Sequence, residues 1–172
     1  MENFGQQLIL VMGVSGSGKT TIAKKLSDEL HGCYLDADDF HSVQARQQMA
    51  NGQPLTDQQR EPWIAAMLEH LLSMKMNGQP IVLAYSGLKR KHRQAFYRLP
   101  FNVHGVMLSV TFDDLQRRLE TRKGHFFSSD LLASQFDALE DSGKDEKIQS
   151  IEASQSINAI TVDIINALTT QQ

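Results

Sequence analysis

One cysteine, one tryptophan, three tyrosines and four prolines are what this 172-residue chain has least of. With Cys33 alone, no internal disulfide can form and no cysteine cluster can hold a metal. An excess of one charge is also missing. Twenty acidic residues against 17 basic ones leave −3, without the basic face that a general nucleic-acid binder needs. No apolar run approaches about 18 residues, so no membrane-spanning helix is expected. The opening Met-Glu-Asn-Phe-Gly has no basic n-region, and Leu8–Met12 is too short for the apolar stretch of a signal peptide. A cytoplasmic protein is expected. What the chain does have is 41% apolar residues, enough for one sizeable core, and the length predicts a single domain over 1–172.

The apolar residues fall into short runs between amphipathic stretches. Gln7–Met12 (QLILVM) is almost continuously apolar and ends at Gly13, the pattern of a strand buried on both faces. Thr20–Leu30 carries Ile22, Ala23, Leu26 and Leu30 at helical spacing, and Gly32 stops it. Cys33–Leu35 reads as a second strand ending in Asp36-Ala37-Asp38, and residues 39–56 read as polar and irregular. Asp57 is expected to cap a helix that enters at Pro62 and runs to about Met76, before Asn77-Gly78. Ile81–Tyr85 is a third strand, Lys89–Arg98 a basic helix and Val103–Val110 a fourth strand. Asp113 is expected to cap Leu115–Arg122, and residues 123–129 interrupt before a helix from Asp130. Glu140–Lys147 reads as charged and exposed, Ile148–Glu152 as a fifth strand and Ser156–Leu168 as a closing helix. Strands alternating with helices predict an α/β three-layer sandwich around a five-stranded parallel sheet.

Between the first strand and the first helix, Gly13-Val14-Ser15-Gly16-Ser17-Gly18-Lys19-Thr20 fits G-x-x-x-x-G-K-[ST] at every position. Its glycines let the backbone approach a ligand closely, so that successive N–H groups, through Thr21 at the start of the helix, surround phosphate oxygens. In this P-loop pattern Lys19 serves the β- and γ-phosphates of ATP and Thr20 offers its hydroxyl to Mg²⁺. A dinucleotide site would need G-x-G-x-x-G, but Gly16-Ser17-Gly18 is followed by Thr21 where the third glycine belongs. No N-K-x-D guanine-reading motif follows. The third strand runs into Ser86-Gly87-Leu88-Lys89 without the acid of an ATPase motor. A small chain with Asp-x-Asp after its second strand and a late basic segment points to a small-molecule kinase.

Longer segments carry a closer resemblance. MGVSGSGKTTIA (Met12–Ala23), LDADDFH (Leu35–His41), MANGQPLTDQQREPW (Met49–Trp63), SGLKRKHR (Ser86–Arg93) and RLETRKGHFFSSDLL (Arg118–Leu132) resemble, in order, the gluconate kinase (gluconokinase) family of shikimate-kinase-like P-loop kinases. Ala37, Ser42, Ala45, Tyr85, Gly87 and His92 depart from that family's usual residues. The resemblance implies ATP-dependent phosphorylation of D-gluconate with Mg²⁺, a homodimer, a small helical lid at about 122–136 and an acceptor-binding segment at about 38–63. Another acceptor (shikimate, a different sugar acid or a nucleoside monophosphate) or an inactive nucleotide-binding regulator are the alternatives.

Asp38, just past the second strand, can take the proton of the attacking hydroxyl, while Asp36 can hold a Mg²⁺-bound water. Asp39 is the plainer helix cap. The resemblance puts His41, Arg60, Lys89 and Arg93 in the acceptor pocket, with Arg60 as the two-pronged carboxylate clamp. Lys89 and Arg93, one helical turn apart, are expected to face the same way. The resemblance further places Arg118 near adenine, Arg122 over the transferred phosphoryl group and His125 with the substrate-binding residues around the lid.

Overall fold

Five strands form one parallel sheet in the order Cys33–Asp36, Ile81–Ala84, Gln7–Met12, Asn102–Ser109 and Ile148–Glu152. The computed structural model describes residues 6–75, 78–121 and 129–170. The strands are β1 (Gln7–Met12), β2 (Cys33–Asp36), β3 (Ile81–Ala84), β4 (Asn102–Ser109) and β5 (Ile148–Glu152). The helices are α1 (Lys19–Glu29), α2 (Val43–Ala50), α3 (Asp57–Met74), α4 (Arg90–Tyr97), α5 (Phe112–Thr121), α6 (Ser129–Ala138) and α7 (Ile157–Thr170), with a 3₁₀ turn at Ala37–Phe40. None of the described helices is long and apolar enough to cross a membrane.

The composition of β1 follows from its central place between β3 and β4. Leu8 to Met12 are all fully buried because helices cover both faces of the sheet. Alternate side chains divide between two cores. Ile9 and Val11 pack with Ile22 and Leu26 of α1 and Ile160 and Ile164 of α7, whereas Leu8, Leu10 and Met12 pack with Trp63 and Met67 of α3 and Phe96 of α4. Parallel pairing brings the carboxyl ends of all strands to one edge. Chain order reverses beside β1, the place where α/β sheets open a crevice for ligands.

Side-chain caps account for most departures from the sequence expectation. Residues 39–56 are not irregular throughout: Asp36 accepts from the Asp38 N–H and starts the 3₁₀ turn, and Ser42 accepts from the Ala45 N–H and starts α2. Asp36 is thus the cap, not Asp39. The next helix begins at Asp57 and not at Pro62, because Thr56 and Gln59 bond each other's backbone N–H groups in a reciprocal capping box. Pro62 sits inside that helix, where the bond it cannot make belongs to the exposed residue Gln58. In α5 the cap is Thr111, whose Oγ1 accepts the Asp114 N–H at 3.2 Å, and Asp113 lies in the first turn instead.

The segment 140–147 is not simply exposed. Glu146 is buried there against Arg93 of α4, with side-chain exposures of 1% and 0%. The guanidinium donates to both Glu146 oxygens, at 2.8 and 3.0 Å, and to the carbonyls of Gly87, Leu88, Glu140 and Asp141. Burial would raise the Glu146 carboxyl, but the Arg93 bonds and the Gly143 N–H overcome it and hold it below its ordinary value. This stabilisation is present above the ordinary carboxylate range and lost as pH falls through the lowered value. Arg93→Met leaves the buried Glu146 carboxylate with the Gly143 N–H and, at 3.8 Å, the half-exposed Arg90, and is expected to cost about 3–5 kcal/mol. Thermal unfolding should show a fall of roughly 10 °C, partly recovered by adding Glu146→Leu.

Candidate active site

The glycine loop sits at the crevice, between β1 and α1. Gly16 has φ +79°, and a Cβ there would meet Leu115 Cδ1 at 2.8 Å; Gly18, at φ +102°, forms the left-handed N-cap of α1. Lys19 Nζ donates to the Val14 carbonyl at 3.0 Å. Burial pulls the Lys19 ammonium down to about 8, while the Asp38 and Asp36 carboxylates resist it, so the cation still dominates at neutral pH. Thr20 Oγ1 lies 3.5 Å from Asp36 Oδ2, which also accepts the Tyr34 hydroxyl at 2.8 Å. Asp36 therefore both caps a turn through Oδ1 and presents Oδ2 beside Thr20.

These groups line a cleft of about 870 Å³ that continues to α2 and α3. Asp38 opens into it. The surrounding walls, and next the Asp36 carboxylate, raise the Asp38 carboxyl above its ordinary value, against the pull of Lys19. His41 stacks on Trp63 with ring centroids 4.2 Å apart, and Trp63 Nε1 donates to the Ala37 carbonyl at 2.6 Å. Burial, then the charges of Arg46 and Arg60, lower His41 to about 4. His41 is thus a neutral hydrogen-bonding group at pH 7 and not a cation. Its Nδ1 is buried without a hydrogen-bond partner among the described residues. Arg60 lines the same cleft and bonds Asp57 Oδ1 at 2.8 Å through Nη1.

The structure does not bring every expected residue here. Arg93 points into the core, committed to Glu146 and four carbonyls, and Lys89 pairs with Glu140 at 3.4 Å. Neither lines the cleft, nor do they present one shared basic face. Arg118 donates to the Ala153 carbonyl at 2.8 Å, tying α5 to the end of β5, and Thr21 is exposed on α1. Arg122 and His125 lie outside the described residues, as does the lid before Ser129. Sequence reasoning missed Arg46, Tyr34, Ser86 and Gln135. Arg46 lines the cleft and, among the described residues, donates to the backbone carbonyls of His41 and Asp39 and to no carboxylate. The departure at residue 42 has a structural counterpart, since Ser42 caps α2.

A glycine-loop phosphate cradle at the switch point of a five-stranded parallel sheet, with Asp36 and Asp38 lining the same cleft, defines a P-loop kinase fold. A family model described as an AAA domain matches residues 8–144. The chain is 39% identical to the probable gluconokinase of Mus musculus, with 94% of this chain and 97% of that protein covered. It is 31% identical to the thermoresistant gluconokinase of Escherichia coli, covering 96% and 95%. The crystal structure of a sugar kinase from a Janibacter species superposes with a TM-score of 0.89 at 32% identity, covering 96% and 95%. The chain belongs to the gluconokinase family. Shikimate kinase of Aquifex aeolicus, 16% identical with a TM-score of 0.57 over 96% and 98% of the chains, shares the fold.

Proposed function

We propose that the protein is an ATP-dependent kinase that phosphorylates D-gluconate on its 6-hydroxyl. The observation that carries this reading is a single cleft lined by Lys19, Ser15 and Gly16 of the glycine loop together with Asp38, Arg46 and Arg60. The hydroxyl oxygen forms a bond to the γ-phosphorus and the bond to the β–γ bridging oxygen breaks. ADP leaves, and the hydroxyl proton passes to the Asp38 carboxylate. Lys19 and the loop N–H groups hold the phosphate charge, and Arg60 holds the acceptor carboxylate. Residues 38–63 serve as the acceptor-binding segment and 122–136 as the lid of one cytoplasmic kinase domain.

Thr20 Oγ1 and Asp36 Oδ2 are hard oxygen donors that fit Mg²⁺, an ion that takes one or two protein ligands and keeps water and phosphate oxygens for the rest. Bound there, it would neutralise charge on the β- and γ-phosphates.

An ADP-coupled assay with gluconate, sorbitol and shikimate tests the reading. Turnover with gluconate and little with the other two is expected. A preference for another acceptor would overturn the substrate, and nucleotide binding without turnover would overturn the activity. Arg60→Lys keeps the charge opposite Asp57 but loses the fork, so gluconate KM should rise about tenfold or more while ATP KM barely moves. If wild type and variant discriminate gluconate from sorbitol equally, Arg60 does not read the carboxylate. Arg46 then becomes the clamp.

A further inference from the structure

One side chain of α6 reaches back to the glycine loop. Gln135 Oε1 accepts the Ser15 backbone N–H at 2.7 Å, and Gln135 Nε2 donates to Ser15 Oγ at 3.1 Å, across 120 residues of sequence. The same helix packs Leu132 and Phe136 against Val14, Leu88 and Leu115, so a seated helix delivers the carboxamide. The Ser15 N–H belongs to the loop whose donors serve phosphate oxygens. One N–H makes one strong bond, so Gln135 Oε1 and a phosphate oxygen compete for it. An anionic oxygen accepts roughly twice as strongly as a neutral amide oxygen and wins that competition.

We propose that Gln135 is a positioning residue for the terminal phosphate of the nucleotide. It holds the Ser15 N–H until a phosphate oxygen takes that donor, and the exchange ties phosphate occupancy of the loop to the placement of α6. The inference rests on the kinase reading only for the nucleoside triphosphate, not for the acceptor.

Two variants should separate competition for the donor from a merely structural role. Gln135→Glu gives the Ser15 N–H a charged acceptor and sets a carboxylate against the phosphate. The Kd of a non-hydrolysable ATP analogue should rise at least about tenfold, with a smaller rise for ADP. Gln135→Ala removes the competitor, and the analogue should bind as well as to wild type or several-fold tighter. In wild type, the analogue should change hydrogen exchange across residues 129–138 more than ADP does, and Gln135→Ala should lose that difference. Equal weakening by both variants would mark Gln135 as merely structural and overturn the proposal. So would wild-type exchange in α6 that is the same with the analogue and with ADP, a measurement that needs no variant to fold. Absence of nucleotide protection over residues 13–20 would bring down the kinase reading and this inference together. The expected exchange difference in α6, together with turnover of another acceptor and not of gluconate, would support this inference while refuting the acceptor.

Discussion

Lys19→Ala is expected to lower kcat by about a thousandfold or more while the protein stays folded. The ammonium lies at the start of α1 with its Nζ on the Val14 carbonyl, inside the loop that cradles phosphate. Charge fixed beside a transferring phosphoryl group acts in a site with little water, and removing one such group costs about 10²–10³ or more in rate. That is about 4 kcal/mol of transition-state stabilisation. The fold should be spared, because the buried residues of α1 that face the core are Ile22, Ala23 and Leu26. Circular dichroism and a thermal melt close to wild type, with turnover lost, are the expected pair of results. A near-normal kcat would refute the nucleotide site. The lowered ammonium adds a second readout. With Lys19 at about 8, kcat/KM for ATP should fall as pH rises past that value, and Lys19→Arg should move the alkaline limb upward.

The glycine loop and β1 were legible because their signals are local. A continuous apolar run means burial on both faces, and G-x-x-x-x-G-K-T is contiguous in sequence. What was hidden depends on partners far along the chain. Arg93 and Glu146 are 53 residues apart, and each alone looks like a surface charge. Helical spacing did put Lys89 and Arg93 a turn apart, but spacing gives a shared face, not the direction that face takes. Arg93 turns inward because Glu146 and four carbonyls wait there. The helix α2 has no buried residue, so no apolar periodicity announced it. Its start depends on the Ser42 cap, and with α2 went the placement of Arg46 in the cleft. Gln135 was hidden for the same reason as Glu146: its partner, Ser15, is distant in sequence.

Asp38→Asn is expected to depress kcat by about 10²–10⁴-fold with little change in ATP affinity. The structure separates the two neighbouring acids. Asp36 spends Oδ1 on the Asp38 N–H and Oδ2 on Tyr34 and Thr20, whereas the Asp38 side chain opens into the cleft. Among the described residues the one basic side chain within ion-pair reach is His41, whose Nε2 is 3.9 Å away and whose imidazole is neutral at pH 7. The cleft walls and then Asp36 raise the Asp38 carboxyl above its ordinary value, which brings a base closer to the pH at which it must accept a proton. Wild-type kcat should fall as pH drops through that raised value, where the carboxylate becomes protonated and cannot accept. The asparagine keeps the shape and the backbone bond to Asp36 but has no proton to gain, so the acid limb should vanish along with most of the rate. Steady-state kinetics across pH, with ATP and gluconate varied in turn, measure both effects. A loss confined to KM, with the acid limb intact, would make Asp38 a binding residue, and the base would pass to Asp36.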